Sequence, residues 1–382
     1  MATSTFNSTR KKVLITYATG GMGHVSAAKA IAEVFAKRYP DVEVKNIDII
    51  DFASTVYKKV FVDGYNYISA KKPEVWGFLY RWFNKPASQK LPSELSRLAI
   101  EKKFIPFIQD FKPDFIVATH PLPMMLVSAS KRKDVINIKS SMVVTDFGCH
   151  SFWVDSEVNY YFVATQNVKK CMSGYNVSLD KIIVTGIPIQ AKFSQSLDRK
   201  VIAKKIGINE ELFTMLMVGG QFDFLSLKKI VAGVKAESND VQFLLVAGRD
   251  QDLKKALDNS NLGQDQKIKI FGFVDNMEEL MTVCDVIFSK AGGLTVSECL
   301  AKGLPMIINK VIPGQEEDNA DFLVAKKAAI KATSLEEIIN SVGKLIEDRG
   351  LLAEMKKSAQ AIGRPDSTTE LVDFVYQQLS VK

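Results

Sequence analysis

The chain alternates short apolar runs with longer segments that carry apolar residues at helical spacing. Uninterrupted apolar runs of this kind are typical of strands buried on both faces of a parallel sheet. Such strands are predicted at residues 12–18, 42–47, 115–119 and 142–144 in the first half and at 215–218, 243–247, 268–271, 283–288 and 304–308 in the second. Alternating strands and helices predict an α/β fold, in which ligands bind at the carboxyl ends of the strands.

The length of the chain indicates that these strands and helices belong to two domains. At 382 residues the chain is too long for one ordinary core, and a polar stretch separates the two sets of strands. We predict an N-terminal domain at 1–190, a linker at 191–200, a second domain at 201–365 and a C-terminal helix within 366–382.

Composition narrows the class of protein. The hydrophobic fraction of 47% and the charged fraction of 24% are ordinary for a soluble globular protein, and no run approaches the roughly 18 apolar residues of a membrane span. The first twelve residues lack the apolar segment of a secretory signal, so a cytoplasmic protein is expected. The four cysteines show no metal-binding spacing, and we expect no zinc. The net charge of +7 favours an anionic partner, which composition leaves open among nucleic acid, nucleotide and acidic lipid.

A glycine turn with hydroxyl and carboxylate side chains follows the apolar run 283–288. The residues are Gly292, Gly293, Leu294, Thr295, Ser297 and Glu298. The glycines allow a sharp turn into a helix that begins near Leu294, where free amides and the helix dipole favour a phosphate. Glu298 lies one turn further on, where a carboxylate can accept both hydroxyls of a ribose.

A polar loop at 313–319 follows the next predicted strand. Its amide and carboxylates, including Gln315 and Glu316, suit a polyhydroxylated ligand such as a sugar. Either feature alone is as consistent with a plain glycine turn or a solvated acidic loop. Both together, separated by one helix and one strand, favour a ligand site.

A second glycine loop connects the first predicted strand to a helix at 25–39. Its sequence is Thr19-Gly20-Gly21-Met22-Gly23-His24. A dinucleotide-binding loop is one interpretation, because Asp48 lies where a ribose-binding acid would be, but Ser26 replaces the third glycine. His24, at the mouth of the loop, can take a proton from an alcohol near pH 7, or can simply hydrogen-bond the backbone.

Three further polar positions lie at predicted strand ends and are expected near His24. His120 follows the strand 115–119, and Asp146 and His150 follow the strand 142–144, with Trp153 close behind. His120 or His150 can alternatively serve only to hold a loop. Asp146 is a candidate for orienting or charge-stabilising a histidine on this side.

Residues 52–90 combine many aromatic side chains with basic ones and only two acids after residue 52. This mixture is typical of a surface at the headgroup level of an anionic bilayer, although stacking of single-stranded nucleic acid or a packed helical insertion also fits. The candidate membrane contacts are Lys58, Lys59, Lys71, Lys72, Trp76, Arg81 and Trp82.

These motifs together resemble the monogalactosyldiacylglycerol synthase and processive diacylglycerol glucosyltransferase family, within glycosyltransferase family 28. The matching elements are Gly20-Gly21-x-Gly23-His24, Asp146-x-x-x-His150-x-x-Trp153, Thr185-Gly186-Ile187-Pro188, Lys290-Ala291-Gly292-Gly293-Leu294-Thr295-x-x-Glu298 and Pro313-Gly314-Gln315-Glu316-x-x-Asn319. The similarity extends from about residue 11 to beyond residue 330. A more distant resemblance is to the transferase that adds N-acetylglucosamine to the peptidoglycan lipid precursor.

The resemblance implies a GT-B fold, with two doubly wound Rossmann-like domains facing across a cleft and a C-terminal helix that packs back on the first domain. It implies catalysis by His24 and Asp146, and an acceptor side formed by Gly21, Gly23, His120, His150 and Trp153. The donor side would comprise Gly219, Arg249, Phe273, Val274, Lys290, Gly292, Gly293, Leu294, Thr295, Glu298, Gln315, Glu316 and Asn319. The loop after the strand 215–218 departs from the family's glycine-rich form, which weakens the assignment of Gly219 to phosphate.

The resemblance also implies an inverting transfer of glucose or galactose from a UDP-sugar to 1,2-diacylglycerol, without cofactor or metal, on the cytoplasmic face of the cell membrane. An N-acetylglucosamine transfer to a lipid-linked precursor is the alternative from the same fold. A basic nucleic-acid-binding module and an NAD-dependent oxidoreductase are the alternatives from other classes. The first alternative leaves the polar loop 313–319 without a role. The second needs a dinucleotide-binding loop, whose third glycine is replaced here by Ser26.

Overall fold

The computed structural model of the protein describes residues 10–58, 64, 73–84, 90–218, 222–309 and 311–380. The chain folds into two compact units, one ending at Ala191 and completed by Asp366–Lys382, the other spanning Lys192–Pro365. Within the described residues each unit is built on one sheet of six parallel strands. The predicted α/β class is therefore confirmed.

The first unit contains strands β1 to β6 and helices α1 to α6. The strands are β1 Lys12–Tyr17, β2 Glu43–Asp48, β3 Phe115–Ala118, β4 Lys139–Val143, β5 Tyr160–Val163 and β6 Ile182–Val184. The helices are α1 Met22–Arg38, α2 Thr55–Lys58, α3 Pro73–Phe83, α4 Lys90–Phe111, α5 Pro121–Lys131 and α6 Gln166–Ser173, with short 3-10 helices at Ile49–Phe52, Ser151–Trp153 and Leu179–Lys181.

The strand order of the first sheet is β2-β1-β3-β4-β5-β6. Because α1 leads from β1 to β2 on one side while β3 lies on the other, the connections diverge between β1 and β3, which is the place where open α/β sheets bind ligands. Val13 and Ile15 pack with α1 whereas Leu14 packs with α4, so the sheet is buried on both faces. This double burial explains why the strands are continuous apolar runs.

The second unit contains strands β7 to β12 and helices α7 to α14. The strands are β7 Phe213–Val218, β8 Val241–Val246, β9 Ile268–Phe271, β10 Val286–Ser289, β11 Met306–Ile308 and β12 Ala329–Lys331. The helices are α7 Arg199–Ile206, α8 Phe224–Glu237, α9 Gln251–Asp258, α10 Met277–Val283, α11 Gly293–Ala301, α12 Gln315–Ala325, α13 Leu335–Glu347 and α14 Arg349–Ile362, with 3-10 helices at Ala191–Ser194 and Asn261–Gln264. The strand order, β12-β11-β10-β7-β8-β9, places the divergence of connections between β7 and β10.

The last helix, α15 Ser367–Ser380, belongs to the first unit. Leu371, Val372 and Val375 are fully buried in the cluster that contains Val13. Polar contacts at the edge add to this burial, since the ring of Tyr376 stacks on Tyr39 at 3.7 Å and the carboxylate of Asp373 pairs with Arg38 at 2.8 Å.

Two local predictions are wrong. The apolar run 283–288 was expected to be one strand, but α10 continues through Val283 and β10 begins at Val286, after the buried Asp285. The segment 313–319 was expected to be a loop, but α12 begins at Gln315. Gly314 adopts a φ of 102°, which glycine tolerates, and the acidic first turn of α12 favours a helix N-terminus.

Candidate active site

The glycine loop of the first unit delivers His24 to the point where the sheet connections diverge. Gly21 caps α1, Gly23 lies in its first turn beside His24, and Thr119 with His120 follows β3 on the other side of the divergence. The imidazole rings of His24 and His120 meet edge to face, with centroids 4.6 Å apart. The predicted convergence of these two strand ends is thus present in the structure.

Two threonines hold the imidazole of His24. Its Nδ1 lies 2.6 Å from the carbonyl oxygen of Thr119 and 3.1 Å from the hydroxyl oxygen of Thr145. A carbonyl oxygen only accepts hydrogen bonds, so Nδ1 carries the proton and Nε2 keeps its lone pair. Burial lowers the pKa of His24 to about 4, and the bond to Thr119 opposes the shift only in part. At neutral pH His24 is therefore uncharged with an unprotonated Nε2, the state that a general base requires.

His120 has the opposite tautomer. Its Nδ1 accepts a hydrogen bond of 3.0 Å from the backbone N–H of Leu122 and so caps α5. Burial lowers its pKa, and the neighbouring His24 lowers it further. The remaining nitrogen, Nε2, carries the proton, which makes His120 a hydrogen-bond donor on this side of the site.

His150 is occupied by the protein at both nitrogens. Its Nδ1 accepts from the N–H of Phe152 at 3.1 Å, and its Nε2 donates to the carbonyl of Tyr80 at 2.8 Å. The side chain is buried, and burial lowers its pKa. His150 therefore fastens α3 to the loop after β4, as the loop-holding alternative expected, and neither nitrogen is left for an acceptor.

The loop after β4 carries the remaining residues expected on the acceptor side. Trp153 is buried, with its ring centroid 6.2 Å from that of His24. Asp146 is half-buried and directly follows Thr145, and its role in catalysis stays a prediction. Sequence reasoning gave no role to Thr119 or Thr145, although Thr145 directly precedes Asp146 in the segment expected near His24, because the partner of a threonine so far along the chain has no local signal.

The glycine turn of the second unit lies at the divergence of its own sheet. Gly292 caps α11 without any side-chain hydrogen bond, so the first amides of the helix stay available to a ligand. Leu294 and Thr295 are half-buried in the first turn. The hydroxyl of Ser297 donates to the carbonyl of Gly293 at 2.9 Å, so it is satisfied within α11.

Glu298 lies one turn into α11 and is half-buried. Burial raises its pKa to about 8, Lys192 opposes this shift, and Glu278 adds to it. Lys192 is itself paired with Glu278, at 3.2 Å between Nζ and Oε2. A carboxyl group that is deprived of water in this way favours a ligand with hydroxyl groups to replace the missing solvent.

The donor-side residues predicted within 313–319 divide into two groups. Glu316 is buried and pairs with Lys290 at 2.8 Å, while its other oxygen accepts from the N–H of Ile312 at 3.2 Å. Asn319 is fully buried and donates to the carbonyl of Ala291 at 2.9 Å. Both residues thus fasten α12 to the glycine turn. Gln315, half-buried at the start of α12, is left as the candidate for direct contact with a sugar.

A third element of the second unit is the loop after β9. Phe273 is 63% exposed, and the guanidinium of Arg249 lies 5.3 Å from the centre of its ring. Val274 follows it and is half-buried. An exposed ring beside a cation provides a surface on which a flat base can stack. Gly219 lies outside the described residues.

The basic aromatic segment is described only in part. Lys59, Lys71 and Lys72 lie outside the described residues, as does the side chain of Trp76. Lys58 pairs with Asp51 at 3.4 Å, and Arg81 is exposed.

One face of α3 is apolar and open to solvent. Val75, Phe78 and Trp82 recur at helical spacing and are 45%, 63% and 46% exposed. Tyr80 on another side is held by His150, so the helix is fastened while this face points outward.

The described residues limit the candidates for a metal site and for a membrane span. They contain no group of three or more histidine, cysteine, aspartate or glutamate side chains that could hold a metal ion. No described helix is both long and apolar enough to cross a bilayer.

Comparison with known proteins identifies the family. A model described as monogalactosyldiacylglycerol (MGDG) synthase matches residues 24–189, and one described as the glycosyltransferase family 28 C-terminal domain matches residues 214–371. The processive diacylglycerol beta-glucosyltransferases of Bacillus thuringiensis (strain Al Hakam) and Bacillus cereus (strain AH187) are each 30% identical over 375 residues, covering 97% of this chain and 95% of the relative. The chain belongs to glycosyltransferase family 28. Within it, the resemblance to the diacylglycerol glycosyltransferases is confirmed.

Solved structures confirm the fold of this glycosyltransferase. The crystal structure of Acinetobacter baumannii MurG matches with a TM-score of 0.61 and 16% identity, covering 96% of this chain and 99% of that one. The S. aureus MnaA–UDP structure matches with a TM-score of 0.65 and 13% identity, covering 97% and 98%. At these identities the likeness establishes the GT-B architecture of two Rossmann-like domains and nothing about substrate.

Proposed function

We propose that this family 28 glycosyltransferase moves a hexose from a UDP-sugar to the free hydroxyl of 1,2-diacylglycerol and forms a β-glycosyldiacylglycerol. The observation that carries the proposal is the half-buried, neutral His24 with an unprotonated Nε2, in a chain whose relatives are named for transfer to diacylglycerol. Glucose is the sugar in the names of those relatives, and galactose is the sugar in the name of the matching family model.

The chemistry is a single displacement. The acceptor hydroxyl gives its proton to Nε2 of His24 while its oxygen attacks the anomeric carbon. The bond from that carbon to the diphosphate breaks, and the pair of electrons leaves with UDP. Attack from the face opposite the leaving group inverts the centre, so an α-linked donor gives a β-linked product.

The second unit would bind the donor. The free amides at the start of α11, with Thr295, would hold the diphosphate, and Glu298 would accept the hydroxyls of the ribose. Phe273 and Arg249 would hold the base, and Gln315 the hexose. Negative charge on the departing UDP would be stabilised by amides and by Lys290 rather than by a divalent ion or a cofactor.

The acceptor requires the enzyme to work at a lipid surface. Each buried CH₂ of an acyl chain is worth about 0.8 kcal/mol, so diacylglycerol stays in the bilayer and the enzyme must come to it. The exposed face of α3, formed by Val75, Phe78 and Trp82, would enter the interface, with Arg81 at the headgroups. Binding would be peripheral, would favour anionic lipid because the chain carries a net charge of +7, and would occur on the cytoplasmic face of the cell membrane.

Incubation with vesicles tests the proposal. UDP-glucose, UDP-galactose and UDP-N-acetylglucosamine are each supplied with diacylglycerol in anionic vesicles, and the linkage of the product is read by NMR. His24→Ala should abolish turnover while the affinity for UDP stays within about twofold, because His24 touches the acceptor and not the donor. An α-linked product would refute inversion, and loss of activity on addition of EDTA would refute metal independence.

The acceptor is tested separately. Transfer of N-acetylglucosamine to a lipid-linked peptidoglycan precursor, with none to diacylglycerol, would overturn the proposed acceptor. Flotation with neutral and anionic vesicles examines the lipid surface. Phe78→Asp should release the protein from anionic vesicles, whereas Asp321→Asn, an exposed change in the second unit, should not.

A further inference from the structure

The two ring nitrogens of His24 have unequal surroundings. Nδ1 faces the carbonyl of Thr119 and the hydroxyl of Thr145, and no described residue hydrogen-bonds to Nε2. Thr119 also fixes the backbone at this point, since its hydroxyl donates to the carbonyl of His24 at 2.9 Å. The base is therefore held at its ring and at its backbone by residues 95 and 121 positions further along the chain.

We propose that Thr145 is a positioning residue of the transfer reaction: with the Thr119 carbonyl, its hydroxyl oxygen keeps the single proton of neutral His24 on Nδ1 and leaves Nε2 as the base. This inference rests on the proposed function for its consequence in catalysis. The usual partner for a catalytic histidine at this place is a carboxylate, as in hydrolytic triads. Here the two oxygen atoms that face Nδ1 in the described contacts are a backbone carbonyl and a hydroxyl.

The uncharged partners have a chemical consequence. When His24 takes the proton of the acceptor on Nε2, the imidazolium gains stabilisation from two oxygen dipoles and none from a full negative charge at this position. The nearest titratable ring is His120, whose own proton lies on Nε2 because its Nδ1 accepts from Leu122. Because burial lowers the pKa of His24 to about 4, the ring is neutral at pH 7, and it gains a charge when the acceptor supplies the proton.

The tautomers can be read directly, because the chain contains three histidines. In the full-length protein labelled with 15N-histidine, nitrogen NMR separates protonated from unprotonated ring nitrogens. The structure predicts the proton on Nδ1 in His24 and on Nε2 in both His120 and His150. The spectrum of His24→Gln assigns the His24 signals. A proton on Nε2 of His24, or a charged ring at pH 7, would overturn the proposal.

Three variants test whether the tautomer of His24 affects turnover. Thr145→Val keeps the shape but removes the hydroxyl, so it should shift the His24 Nδ1 signal and lower kcat about tenfold, with KM for the UDP-sugar unchanged. Thr145→Ser retains the hydroxyl and should restore both. Leu179→Ala, an exposed change in the same unit, serves as the control for handling and should alter neither.

The outcomes distinguish the positioning role of Thr145 from the proposed transfer to diacylglycerol. If Thr145→Val leaves both the His24 signal and kcat unchanged, Thr145 has no positioning role. If the tautomers are as assigned and Thr145→Val shifts them, but no sugar reaches diacylglycerol, the proposed function fails and the assignment of Thr145 to His24 stands.

Discussion

Protonation of Glu298 should make the binding of UDP depend on pH. Burial raises the pKa of this carboxyl to about 8 in the unliganded site. At pH 7 the group is then about 90% protonated, since one pH unit below the pKa gives a ratio of about ten to one. A ribose that offers two hydroxyls binds the carboxylate form best, so binding should release about 0.9 proton at pH 7.

The pKa of Glu298 also determines how much the affinity for UDP changes with pH. If only the ionised form binds, the Kd for UDP scales with one plus the ratio of protonated to ionised carboxyl, which is about 11 at pH 7 and about 1.3 at pH 8.5 for a pKa of about 8. The affinity should therefore rise about eightfold over this interval. The diphosphate is already ionised there, because phosphate groups of this type titrate near pH 6.

Calorimetry measures both quantities. Titrations of UDP in two buffers of different ionisation enthalpy give the number of protons released, and a series at pH 7, 7.5, 8 and 8.5 gives the slope. Glu298→Gln should flatten the slope and remove the proton release, and should weaken binding at pH 8.5 about tenfold through the loss of charged hydrogen bonds. An affinity for UDP that stays constant from pH 7 to 8.5 in the unmodified protein, or the same slope in Glu298→Gln, would refute the assignment of this carboxyl to the ribose.

Two further predictions concern the scaffold that holds the sites. Asp285 is buried, and although burial favours its neutral form, Lys356 and Arg199 lower its pKa, so it stabilises the fold above the pKa of the unfolded carboxyl and less as pH falls through the folded value. Asp285→Asn should cost about 3 kcal/mol in urea unfolding at pH 7, and Asp321→Asn, at an exposed pair, less than about 1 kcal/mol; equal losses would contradict the argument. His150→Phe keeps the ring against Tyr80 but removes both hydrogen bonds, so amide exchange in residues 80–84 should rise about fivefold, and unchanged exchange would show that α3 is held by other contacts.

Strands that are buried on both faces could be predicted from the sequence, whereas the polar part of a strand could not. β1, β7 and β8 carry continuous apolar runs and are found close to their predicted positions. β4 begins with Lys139, Ser140 and Ser141, so only its last residues have the apolar signal. The side chain of Ser140 is buried because its hydroxyl accepts from Lys131 at 2.8 Å, a long-range pairing that local pattern does not reveal.

The placement of the glycine turns and of His24 and His120 at strand ends was also predictable, whereas the contacts of individual side chains were less so. Glu316 and Asn319 match the family motif, yet both are buried and hold α12 to the glycine turn. Their types, a carboxylate and an amide, suit a sugar and a structural hydrogen bond equally well. Which of the two applies depends on Lys290 and on the carbonyl of Ala291, and these meet the loop only after folding.

In each unit a helix N-terminus lies at the divergence point of the sheet, and the dipole of that helix has a different consequence at each of the two. At α11 the free amides that follow Gly292 form the positive end of the helix dipole, and this end favours an anion. At α1 it meets the ring of His24 in the first turn, where it disfavours a cation. The dipole thus acts in the same direction as burial, which lowers the pKa of His24 to about 4. A helix N-terminus thus favours an anion at α11 and an uncharged imidazole at α1.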